Sequence, residues 1–163
     1  MKSADRRQLK DIMLKRYLRL GESHTLSEVM GFLTDERFEA EGLPYLVVVG
    51  KDGSLAGMLS SKAVFKAIME GVAAGKSNES AFFHEVAARL NKTTGEVMNR
   101  DVPSLPATAF LEEAFIAIRD TGSEVIAVLE DNRVIGLVTA RILFETAATL
   151  TVGSLSGGVI PPA

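Results

Sequence analysis

Apolar positions along this chain fall into two rhythms that alternate twice. Leu26, Val29, Met30 and Leu33 recur at helical spacing within and after Thr25-Leu26-Ser27-Glu28, a capping-box sequence, and so predict a helix with one buried face. Tyr45 to Val49 and Leu55 to Leu59 are continuous apolar runs parted by Lys51-Asp52-Gly53, the pattern of a hairpin with an Asp-Gly turn. Val64, Phe65, Ile68 and Met69 then return to the helical period on one side of a helix that opens after Ser60 or Ser61. The same order follows again. Leu111, Ala114, Phe115 and Ile118 mark a helix, Val125 to Leu129 a strand, Asp131-Asn132 a turn, and Leu143, Phe144 and Ala147 a helix after Thr139. Apolar residues at successive strand positions imply sheets covered on both faces, one by helices and the other by a partner layer.

Laying the chain over itself makes the repetition explicit. Asp11-Ile12-Met13 aligns with Glu96-Val97-Met98 at an offset of 85, and Leu20, Leu26, Glu28 and Met30 then fall on Leu105, Leu111, Glu113 and Phe115. Further along the offset is 79, pairing Gly57 with Gly136, Ser60 with Thr139, Lys62 with Arg141 and Phe65 with Phe144. The six missing residues come from the acidic stretch Thr34 to Glu41 and from Gly53, at loops and helix ends where length varies freely. Two copies of about 80 residues are too long and too few for a solenoid, so the chain is a duplicated domain. The copies span 9–71 and 94–149. Residues 72–93 form a helical connector in which Asn78 caps a helix carrying Phe82, Val86 and Leu90. Residues 150–163, with Gly153, Gly157, Gly158 and Pro161-Pro162, read as a flexible tail.

Composition narrows the chemistry. The 163 residues include no cysteine, which excludes disulfides and thiolate sites and points to a reducing, cytoplasmic setting. No apolar run approaches the roughly 20 residues of a membrane span and no signal h-region follows the first residues, so no membrane insertion is expected. Residues 1–20 hold seven Lys and Arg against Asp5 and Asp11, but the whole chain carries −3 and shows no nucleic-acid motif. That basic stretch therefore reads as a solvated face, with no nucleic-acid partner. His24 and His84 are the only histidines, and neither has a partner at metal spacing. With no phosphate loop, nucleophile elbow or dinucleotide fingerprint either, no metal, no catalytic residue and no enzyme are expected.

The marks, taken in order and twice over, resemble a pair of cystathionine-β-synthase-type (CBS) domains, the Bateman module, across about residues 9 to 149. They are the Asp11-Ile12-Met13 and Glu96-Val97-Met98 openings and the Gly-x-x-[Ser/Thr] strand ends at Gly57 to Ser60 and Gly136 to Thr139. The resemblance implies an α+β fold (the α/β-type CBS fold) of two tandem CBS motifs. Each would be a small sheet with two helices on one face, the two related by a pseudo-twofold axis and packed sheet to sheet. It implies regulation rather than catalysis, with clefts between motifs taking an adenosine-containing ligand such as AMP, ADP, ATP or S-adenosylmethionine, and no required cofactor. It also implies a homodimer formed through helices, and an effector protein as a further partner.

The family's adenine-holding segment corresponds here to Leu43, Pro44 and Tyr45, joined by Met58, Ser60 and Lys62. Val125, Thr139 and Arg141 form a second, weaker set. Ser60 and Thr139 stand where a strand ends and a helix begins, so a hydroxyl, backbone N–H groups and the helix dipole converge on a place suited to a phosphate. Lys62 and Arg141 add positive charge two positions on. The Asp that holds ribose in nucleotide-binding members is replaced by Ala63 and Ile142, and the second copy has Glu124 at the Pro position. A ligand-free dimerisation or interaction module is the alternative, in which Ser60 and Thr139 are plain helix caps. Met13, Met30, Met58 and Met98 read as core filling. Phe32, Phe38, Phe65, Ile68, Phe110 and Phe144 are the apolar surplus that a dimer would cover.

Overall fold

The computed structural model describes residues 6–33, 45–72 and 78–152. Leu43 and Pro44, the Tyr45 side chain, the acidic run Asp35, Glu36, Glu39 and Glu41 with Phe38, and the tail beyond Val152 lie outside the described residues. The chain divides into two compact units, one of residues 16–101 and one that residues 1–15 build together with 102–163.

In the first unit, β1 (Leu18–Leu20), α1 (Leu26–Leu33), β2 (Tyr45–Val49), β3 (Leu55–Ser60), α2 (Ser61–Met69), α3 (Glu79–Ala87) and α4 (Thr94–Val97) follow in order. The predicted capping box forms: the Glu28 N–H donates to Thr25 Oγ1 and the Thr25 N–H to the Glu28 carboxylate, each at 3.2 Å. The predicted hairpin is antiparallel, with Tyr45 opposite Ser60 and Val47 opposite Met58. Its loop closes through the Gly50 N–H on the Ser54 carbonyl, and Gly53 takes the left-handed conformation at φ 85°. Alternation then sorts the strands. Leu46, Val48 and Leu59 join Leu26, Val29 and Val64 in one core, while Val47 and Met58, on the opposite face, are also buried. The connector helix is present as α3, capped by Asn78 through the Ala81 N–H at 2.8 Å.

The second unit repeats this plan with a 3₁₀ turn at Leu9–Asp11, β4 (Ser104–Pro106), α5 (Leu111–Thr121), β5 (Val125–Glu130), β6 (Arg133–Thr139) and α6 (Ala140–Thr151). Its hairpin turn is the two-residue kind, with Asp131 and Asn132 both at positive φ. Its core gathers Leu9, Ala114, Ile126, Val128, Val138 and Leu143.

Three differences from the sequence reading have physical reasons. Each sheet has three strands rather than two, because β1 pairs parallel to β2 and β4 parallel to β5. Both added strands are three residues long, too short for a periodic signal. The repeats and the packing units are also cut at different places. Met98 and Asn99, from the opening of the second repeat, lie on β3 of the first unit, where Met58 and Asn99 exchange N–H···O bonds of 2.9 and 2.8 Å. Met13 and Leu14 lie on β6 of the second unit, where Leu14 and Leu137 exchange bonds of 2.7 and 3.0 Å. Phe65 turns outward on α2, where Val64 and Ala67 are the buried pair, and Phe144 does the same on α6 beside buried Leu143, both as expected of the apolar surplus. His24, read as lacking a carboxylate partner, has Glu28 at 3.2 Å from Nδ1 one helical turn on.

Candidate functional site

Hairpin register places the candidate residues. Because Tyr45 pairs with Ser60 and Val125 with Thr139, each sheet presents one corner where the first residue of its middle strand faces the last residue of its outer strand. At each corner a helix departs. Ser60 has extended backbone (φ −93°, ψ 158°) and its hydroxyl accepts the Ala63 N–H at 3.1 Å; Thr139 is nearly superimposable in angle (φ −97°, ψ 157°) and accepts the Ile142 N–H at 3.1 Å. Both are therefore N-caps, and each hydroxyl keeps its own hydrogen to donate to a ligand oxygen.

The corners differ in what surrounds the cap. At the first, Lys62 is exposed and forms no ion pair among the described residues. At the second, Arg141 is paired with Glu145 at 3.0 Å. Met58 shares a strand face with Ser60 and is 3% exposed; Met98 and half-buried Met13 are core filling, and Met30 is exposed. Val125, at the second corner, is buried.

An open groove of about 950 Å³ runs along the outer side of α2, and its lining includes Lys62, Phe65, Lys66, Met69, Lys92 and Val97. Met58 and Ser60 are not among its described lining residues, so the sequence-predicted set is split between a strand face and a helix face. The sequence reading counted Phe65 as apolar surplus but did not set it beside Lys62, Lys66 and Met69, and so did not find this groove. The available signal was Lys62 and Lys66 at i and i+4, which with Phe65 and Met69 make an outward stripe. At the groove's end two cations secure the C-terminus of α2. Arg89 Nε donates to the Glu70 carbonyl at 2.6 Å, and Lys92 Nζ to the Glu70 carboxylate at 2.8 Å, which holds that carboxyl below its ordinary range. Among the described residues no group of His, Asp and Glu is arranged to hold a metal ion, and no helix is long and apolar enough to cross a membrane.

The glycines that mark both strand ends have a partner in each case. A Cβ on Gly57 would stand 2.7 Å from the Asn99 carbonyl oxygen and 2.8 Å from Met98 Sδ; one on Gly136 would meet the Met13 side chain and stand 3.0 Å from the Leu14 carbonyl oxygen. The two sequence marks are thus one contact, made twice, between a glycine of one repeat and a methionine of the other. The CBS domain model matches residues 9–70 and 95–148, both copies. The chain belongs to the CBS-domain family. It is a tandem CBS pair with an α+β fold of two three-stranded mixed sheets and helices. Among solved structures it is similar to the CBS domain of a CBS domain containing membrane protein from Sphaerobacter thermophilus, with TM-score 0.69 and 18% identity over 88% of this chain and 90% of that one. It is also similar to a CBS domain pair in complex with 5-methylthioadenosine and S-adenosyl-L-methionine, with TM-score 0.66 and 20% identity over 90% and 99%. A third is the cytosolic domain of the Mg2+ channel MgtE in complex with ATP, with TM-score 0.63 and 23% identity over 88% of this chain and 51% of that one. No curated protein matches the sequence.

Proposed function

We propose that this CBS pair is a regulatory, non-catalytic module of the cytoplasm. It senses an adenosine-containing ligand, AMP, ADP, ATP or S-adenosylmethionine, and passes the result to a dimer partner or effector protein. The observation that carries the reading is the first corner, where a helix N-cap hydroxyl at Ser60 stands across the hairpin from Tyr45, with Lys62, which has no ion pair among the described residues, two residues on. The residues proposed to hold the ligand are Leu43, Pro44, Tyr45, Met58, Ser60 and Lys62; Val125, Thr139 and Arg141 are the weaker set, since Arg141 is already paired. Support comes from similar structures solved with S-adenosyl-L-methionine and 5-methylthioadenosine and with ATP. Exposed Phe65 and Phe144, at equivalent places in the two repeats, support a homodimer.

A thermal-shift panel of these adenine compounds tests the proposal. A ligand at a hundred times its Kd stabilises the fold by about 2.7 kcal/mol, a shift that a melting curve resolves. One observation favours the second reading, a ligand-free interaction module: Ala63 and Ile142, where ribose would need a carboxylate, offer only apolar side chains. That reading takes over if no adenine compound moves the melting point at millimolar concentration.

A further inference from the structure

We infer that Met13 is a site of reversible oxidation, and that its sulfoxide releases residues 6–15 from the second unit. Those residues are held by the Leu9 and Lys10 N–H groups, which donate to the Ala109 and Ala107 carbonyls at 2.9 and 3.1 Å, and by the paired bonds of Leu14 and Leu137. Leu9 is the fully buried anchor. Between Leu9 and Leu14, the Met13 side chain packs on the core that holds Ile126, Val138 and Leu143, its sulfur laid over Gly136 where a Cβ would collide with it. That seat takes an apolar sulfur and has no room on the strand side for one more atom.

Access singles out Met13. Its counterpart over Gly57 is Met98, which is 8% exposed, and Met58 is 3% exposed, whereas Met13 is half-buried. Hydrogen peroxide therefore reaches Met13 before either. The sulfur lone pair attacks one peroxide oxygen, the O–O bond breaks as an S–O bond forms, sulfur gives up two electrons to the peroxide, and water leaves. The product carries a polar S–O group among apolar side chains and a bare glycine. Burying that group without a hydrogen-bond partner is unfavourable, and swinging the segment out into water satisfies it. A thiol-dependent methionine sulfoxide reductase takes the oxygen back as water while two thiols become a disulfide, and the seat closes again. Met30, 38% exposed on α1, is oxidised readily too and serves as the reference for the reaction.

The absence of cysteine leaves methionine as the main sulfur target and makes peroxide a clean probe. The full chain is treated with graded hydrogen peroxide until Met30 is converted, then followed by peptide mapping and amide hydrogen exchange. Met13 converts before Met98 and Met58, and the Leu9, Lys10 and Leu14 amides then exchange about tenfold faster, while the Met58 and Asn99 amides keep their rates. Sulfoxide reductase with dithiothreitol restores the slow exchange. Met13→Leu, a swap of similar volume, keeps the three amides slow under the same peroxide, and Met13→Gln speeds them with no peroxide at all. Conversion of Met13 no sooner than Met98, or conversion that leaves the three amides unchanged, overturns the inference. So does equal acceleration in Met13→Leu, which assigns the effect to another methionine.

Discussion

The unit of residues 16–101 and the unit that residues 6–15 complete with 102–152 are built from the same devices, and they diverge wherever those devices meet water. Both have a parallel third strand, an N-cap hydroxyl at the strand-to-helix corner and a glycine under a methionine. By contrast the first has a full capping box at Thr25 and Glu28, whereas the second keeps only the Glu113 half, accepting from the Phe110 N–H at 2.8 Å. The first spans its hairpin with Gly50 to Ser54, the second with Asp131 and Asn132. The first leaves Lys62 without an ion pair among the described residues, and the second pairs Arg141 with Glu145. Duplicated geometry has been kept where packing leaves no slack, and surface chemistry has been free to specialise.

The glycine contacts are where the comparison breaks most sharply. Gly57→Ala drives a methyl against the Asn99 backbone oxygen, which cannot step aside, and a loss of about 2–3 kcal/mol is expected from overpacking of this kind. At Gly136 the nearest atoms belong to the flexible Met13 side chain, so Gly136→Ala costs about 1–2 kcal/mol. Double-mutant cycles by urea denaturation separate the two: Met13→Ala should couple strongly with Gly136→Ala and recover much of the loss, whereas Met98→Ala should recover little of the loss from Gly57→Ala. Equal recovery in both units would remove the distinction.

Smaller effects belong to the corners. Without ligand, Ser60→Ala and Thr139→Ala each lower stability by about 1 kcal/mol, because both hydroxyls accept an amide of their own helix, and glycine at either position costs only a few tenths. With ATP present the two should part company: Ser60→Ala loses any ATP-induced rise in melting temperature and Thr139→Ala keeps it. The smallest effect is a pH dependence. The Glu28 carboxyl is held below its ordinary 4.5, first by the Thr25 backbone N–H and then by His24 and the Thr25 hydroxyl. A carboxyl with a depressed folded value stabilises the fold above its unfolded value and loses that contribution as pH falls through the folded one. Glu28→Gln should therefore flatten the acid limb of a stability-against-pH curve below about pH 4.5 and leave the slope above it unchanged.

Much of this was legible in the chain. Helix starts at Ser60, Asn78 and Thr139 follow from local capping chemistry, and both turns follow from residues that tolerate positive φ, so no distant contact was needed to find them. The methionines and glycines were visible as separate marks. That they touch was not, because each pair joins segments from different repeats and sequence proximity carries no trace of it. β1 and β4 escaped for the same reason, since parallel partners are set by tertiary pairing. For the site, register brought Ser60 to Tyr45 as the hairpin required and Phe65 was legible as apolar surplus, but the rotation of α2 that sets it beside Lys62, Lys66 and Met69 depends on which of several apolar residues fits the core, and composition is silent on that choice.

The crossing of the opening segments also bears on the order in which the chain folds during synthesis. The first unit is continuous, so every partner it needs, down to Asn99 on β3, has been made before β4 begins. The second cannot close that way. Its Leu14 must wait for Leu137, more than a hundred residues later, and the closure of so long a loop costs entropy that a local turn does not. Residues 6–15 therefore spend the translation of the first unit as a basic, partly apolar leader with nothing to pack on, their burial withheld until the final strand emerges.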